Sequence, residues 1–106
     1  DEAIVYHQRG LPLTAQAHKI LVGSYPVIVP LFSPRSAQRF RAEFIRARGT
    51  APIYVIALSK AVATEMSGIN MADLVVAEQP KAMAMEKALN NLVATLMHLE
   101  RAPITK

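Results

Sequence analysis

At 106 residues, 52% apolar and only 6% aromatic, the chain has room for one domain with an aliphatic core. There is no cysteine, so disulfides and thiolate chemistry are excluded and a cytoplasmic setting is expected. No apolar run nears the roughly 20 residues of a membrane span, and the acidic opening "DEAIVYHQRG" does not read as a signal peptide, so no membrane partner is expected. Most of the net charge of +4 lies between Arg35 and Arg48, which reads as a solvated helix face or a site for a small acidic ligand rather than for nucleic acid.

In chain order, residues 3–8 ("AIVYHQ") mix apolar and polar side chains, as an exposed strand does, and "GLPLT" breaks it. Thr14 is the predicted N-cap of a helix over 14–22, and "GSYP" is a turn. "VIVPLF" has the composition of a strand buried on both faces, bulged or unpaired on one side at Pro30. The next helix, over 34–48, gathers Ala37, Phe40, Phe44 and Ile45 on one face and stops at Gly49 as its C′ residue. "PIYVIAL" is a third strand; Ser59 caps a short helix to about Ser67, ended by Gly68; "DLVVAE" is a fourth strand. Pro80 opens the longest helix, where Met85, Leu89, Leu92, Leu96 and Leu99 recur at steps of four and three, and Pro103 closes it. Strands alternating with amphipathic helices predict an α/β fold, a parallel β-sheet flanked by helices with right-handed crossovers.

Three strands run straight into helix starts: "LFSPRSA", "ALSKAVA" and "AEQPKAM". Proline takes the first helical position in the first and third, Ser33 and Ser59 are good N-caps, and Gln79 is a poorer one. In a parallel sheet all three junctions lie at the carboxyl ends of the strands, where open α/β sheets bind ligands. Helix N-termini present unpaired N–H groups and favour anions, yet Arg35, Lys60 and Lys81 put cations in these first turns. Two readings are open: ordinary caps beside solvated bases, or a shared site for a ligand bearing several carboxylates. His7, His18 and His98 lie on separate segments without ligand spacing, so no metal is expected. There is no Ser-His-Asp arrangement and no Gly-rich phosphate loop. Met83, Met85 and Met97 read as core or groove filling. Tyr6 reads either as a half-buried strand residue or as a phenolic acid.

The ordered set "IVYHQRGLPLT", "VPLFSPRSAQRF", "IALSKAVATEM" and "LVVAEQPKAMAMEKAL" resembles the carboxyl-terminal half of uroporphyrinogen-III synthase over nearly the whole chain. The resemblance implies a lyase of tetrapyrrole (haem, chlorophyll, cobalamin) biosynthesis that cyclises hydroxymethylbilane to uroporphyrinogen III with ring D inverted and water lost, using no cofactor. It implies a flavodoxin-like strand order, with residues 1–12 as an inter-domain linker strand and 13–106 as an α/β domain lacking its usual amino-terminal strand and helix. By position, Tyr6 matches the linker tyrosine favoured as proton donor to the departing hydroxyl. Ser33, Arg35, Ser36, Ser59, Lys60, Pro80 and Lys81 fall in the substrate-binding junctions. Lys60 stands where the family has proline, Lys81 where it has threonine, and Ala61 and Val62 lack hydroxyls that many members carry. The partners implied are the substrate and product, the missing amino-terminal half of the enzyme, and a second copy through an exposed sheet edge. Without that half the isolated chain is expected to be inactive. The alternative is a regulatory domain of the same fold that binds a polycarboxylate or tetrapyrrole without catalysis.

Overall fold

A computed structural model describes residues 4–5 and 15–101. Strands and helices alternate as β1 (Ile4–Val5), α1 (Ala15–Leu21), β2 (Val27–Leu31), α2 (Pro34–Arg46), β3 (Ile53–Ala57), α3 (Lys60–Thr64), β4 (Asp73–Val76) and α4 (Ala82–Arg101). The four strands form one parallel sheet in the order β1-β2-β3-β4. Within the segment read as a linker, Ile4 and Val5 pair with Val27 and Ile28 in this same sheet. Tyr6, His7, Thr14 and Pro103 lie outside the described residues.

Because each crossover steps in the same direction, right-handed connections put α1, α2 and α3 on one face. There Leu21, Phe40, Phe44, Val62 and Met66 pack on Val27, Val29, Leu31, Ile53, Val55 and Ala57. The other face belongs to α4, whose Met85 packs with Ile28, Ile56 and Ala77, flanked by Leu89, Leu92 and Leu96. Both faces of β2 and β3 are therefore covered, which is why their sequences are apolar without alternation. The wholly buried Phe40 contributes on the order of 2–3 kcal/mol by removal from water. Its ring stacks on that of Phe44, one helical turn along, at 5.8 Å between centroids.

Pro30 is accommodated without a bulge, since β2 and β3 pair continuously from Val27↔Ile53 to Leu31↔Ala57. The Val27 N–H donates to the Pro52 carbonyl and the Leu31 carbonyl accepts from the Leu58 N–H, so odd-numbered residues of β2 face β3. Pro30 consequently turns its missing donor toward β1, whose described pairing stops at Val5↔Ile28. The predicted strand end is corrected at Phe32, which lies beyond β2 and is 51% exposed.

Three features of the helices also differ from expectation. Ile45 is not on the core face of α2 but 51% exposed, because its position is 100° from Phe44, beyond the edge of the contact with the sheet. Gly49 is not the C′ residue: Arg48 adopts φ 54° there. The Arg48 N–H donates to the Ile45 carbonyl and the Gly49 N–H to the Phe44 carbonyl, a complete Schellman closure. The α-helical part of α3 stops at Thr64, and i→i+3 bonds continue the coil to Ser67, before Gly68 at φ 83°. Arg41 Nε ties α2 to this turn by donating to the Ser67 carbonyl at 3.1 Å.

Candidate functional site at the carboxyl edge of the sheet

The site is built on one row of the sheet. Leu31 is the register partner of Ala57, and Ala57 of Val76, so β2, β3 and β4 end at the same level. With neighbouring parallel strands about 4.8 Å apart, the three junctions leave the sheet side by side. The sequence expectation that they share one edge is met by this register.

In the first junction Ser33 is extended at φ −151° and caps α2, with Pro34 as the first helical residue. The Ser36 N–H donates to Ser33 Oγ at 3.0 Å, and the Ser33 N–H donates to Ser36 Oγ at 3.2 Å. The Ser36 hydroxyl also lies 2.9 Å from the Ser33 carbonyl, to which it donates. Both hydroxyls are thus committed to the turn itself. Since proline has no N–H and Ala37 donates to the Ser33 carbonyl, the Arg35 N–H is left without an acceptor among the described residues.

In the second junction Ser59 caps α3, accepting from the Val62 N–H at a long 3.4 Å. The N–H groups of Lys60 and Ala61 point past the helix end without an acceptor among the described residues. The third junction is corrected in detail. Neither Gln79 as cap nor Pro80 as first helical residue holds, because α4 begins at Ala82. The Lys81 N–H bonds back to the Gln79 carbonyl at 2.8 Å, a tight bend that throws Pro80 off the helix. The Lys81 carbonyl then accepts from the Met85 N–H, making Lys81 the flanking residue and Ala82, Met83 and Ala84 the free donors.

Arg35, Lys60, Pro80 and Lys81 are exposed at this edge, whereas Ser33, Ser36 and Ser59 are half-buried. Among the described residues, none of the three cationic side chains makes a hydrogen bond or ion pair. Two residues that the sequence reading did not assign to the site also stand here. Phe32 is 51% exposed between β2 and its helix, and Met83, expected as filler, is 80% exposed in the first turn of α4. Their signal was an apolar residue beside a cap with no periodic partner. The edge therefore combines unsatisfied backbone donors, three free cations and two apolar surfaces. That set suits a ligand with several carboxylates carried on apolar rings.

A groove of about 360 Å³ lies between β4 and α4, lined by Asp73, Val75, Ala88 and Leu92 among others, and it adjoins the row at Val76 and the third junction at Ala77, Glu78, Gln79 and Ala84. Among the described residues no helix is long and apolar enough to cross a membrane. Compared with known protein families, curated proteins and solved structures, the chain matches none.

Proposed function

We propose that the carboxyl edge receives a polycarboxylate with apolar rings, and that the chain acts as part of a uroporphyrinogen-III synthase. The observation that supports this reading is the row Leu31–Ala57–Val76, which ends three strands at one level, each followed within a few residues by a helix start with free N–H groups. In this reading Arg35, Lys60 and Lys81 attract the carboxylates, backbone N–H groups fix them, and Phe32 and Met83 support pyrrole faces. Ser33, Ser36 and Ser59 shape the turns that aim these donors, and Pro80 directs the bend before α4. Tyr6 serves as proton donor to the departing hydroxyl, leaving a cation that ring D attacks through a spiro intermediate. The chain's main contribution is to hold a flexible linear tetrapyrrole in one folded geometry. The flavodoxin-like order of that family carries a reversal beside its first strand, which the sequential order β1-β2-β3-β4 of the described strands does not include.

A second reading has a specific observation in its favour. The Ser33 and Ser36 hydroxyls are occupied with each other, and the first turn of α3 carries Lys60, Ala61 and Val62 without a hydroxyl. A domain that binds the polycarboxylate without converting it needs no more than this.

Calorimetric titration of reduced uroporphyrinogen III tests the binding claim. Binding that is lost in Lys60→Glu/Lys81→Glu and unaltered in Tyr6→Phe supports the site. Silence from the chain even after an amino-terminal half is restored overturns it. Turnover by the restored enzyme that falls in Tyr6→Phe favours the synthase; binding with no turnover favours the regulatory domain.

A further inference from the structure

We propose that two copies of this chain pair through β4, antiparallel and about a two-fold axis at Val75, with Asp73 of each copy meeting Lys87 of the other. The proposal rests on the outer edge of the sheet and does not depend on the synthase reading.

The Ala77 N–H donates to the Ala57 carbonyl, so Asp73, Val75 and Ala77 turn their main chain toward β3. Leu74 and Val76 turn theirs outward, where β4 has no strand partner among the described residues. Such an edge is a template for another strand. It carries no proline or lysine to blunt it, and Val76 is 38% exposed. One device does guard it: Asp73 Oδ1 accepts the outward Leu74 N–H at 2.8 Å.

A second copy of β4 fits the main-chain pattern of this edge. In an antiparallel pairing Leu74 of one copy exchanges both main-chain bonds with Val76 of the other, which sets Val75 opposite Val75 and Asp73 opposite Ala77. Asp73 and Val75 share the face of Tyr54 and Ile56, their register partners, which is the face that α4 covers. The incoming Asp73 therefore enters the groove beside Ala77. Because α4 runs back along β4, the groove's helix wall at that end is Ala84 and Lys87. Lys87 is exposed and makes no ion pair among the described residues. The Leu74 N–H passes from Asp73 to the second strand, and the released carboxylate passes to Lys87. Two-fold symmetry forms this ion pair twice, and Val75 meets its own copy in the apolar floor of the groove.

The absence of cysteine makes the test direct. Opposed residues at a non-hydrogen-bonded antiparallel position have α-carbons about 4.5 Å apart, within disulfide reach. Val75→Cys is expected to form a covalent dimer under mild oxidation, much faster than Ser24→Cys on an exposed turn, with wild type showing concentration-dependent mass in sedimentation equilibrium. Asp73→Lys or Lys87→Asp should each weaken association by about tenfold, and the double exchange should restore it. Val76→Pro, which removes only an outward donor, should abolish it. A wild-type chain that stays monomeric, with Val75→Cys cross-linking no faster than Ser24→Cys, overturns the proposal. So does stronger association in Asp73→Ala than in wild type, which would make the carboxylate a guard alone. Because the charge exchanges leave Val75 intact, their result stands even where Val75→Cys fails to fold.

Discussion

Gly49 lies with its α-carbon against the ring of Phe44, which fills the volume that a Cβ at position 49 would require. The glycine is needed for this close approach, while the left-handed backbone one residue earlier falls to Arg48. Gly49→Ala is therefore expected to destabilise the chain by about 2 kcal/mol through overpacking. Arg48→Gly is expected to stabilise it by up to about 1 kcal/mol by lifting the left-handed penalty. Urea denaturation of both variants checks the pair, and equal effects of the same sign would show that the roles are misassigned.

Ser33 and Ser36 form a reciprocal cap, so their contributions are coupled. Each alanine substitution should cost about 1 kcal/mol, and the double variant clearly less than the sum, because either change already breaks the shared turn. A double-mutant cycle in urea measures this directly; strict additivity would mean the hydroxyls act separately.

Helix α2 offers a contrast between neighbouring apolar positions. Phe40→Ala should cost about 3–5 kcal/mol and leave the domain largely unfolded, since its ring is fully buried. Ile45→Lys should change stability by less than about 0.5 kcal/mol, since Ile45 is half exposed. Thermal melts followed by circular dichroism distinguish them, and a large loss at Ile45 would indicate that another surface covers it.

At the carboxyl edge, Arg35 and Lys60 in first helical turns and Lys81 just before α4 make no ion pair among the described residues, and all three oppose the helix dipole. Reversing any one to glutamate should raise stability slightly, by about 0.3–1 kcal/mol at low salt, while weakening polycarboxylate binding roughly three- to tenfold. Both effects should shrink as salt rises toward about 0.5 M. Melting curves and titrations at two ionic strengths read the two effects on the same variants. Binding that is unmoved by all three reversals would remove these cations from the site.

Much of the fold was legible in local chemistry. The aliphatic runs at β2 and β3, Ser33 and Ser59 before their helices, and the spacing of Met85, Leu89, Leu92 and Leu96 each carry their element within a few residues. Those features depend on backbone preference and on one-dimensional periodicity, both of which act over short range. Where neighbours in space decide, sequence reading stopped. Gly49 reads as a helix stop until the Phe44 ring is seen beside it. Ile45 has the composition of a core residue and the direction of a surface one. Pro30 is harmless only because its missing donor faces β1, which depends on the phase of the whole β2–β3 ladder. The candidate site divides in the same way. The caps Ser33 and Ser59 and the three cations can be read from the sequence, but the common level of the strand ends comes from the pairing of Leu31, Ala57 and Val76. Phe32 and Met83 stand exposed, each at its own junction. Sequence by itself determined which elements exist and how α2 and α3 begin; register and packing between distant segments decided which ends meet and which side chains stay in water.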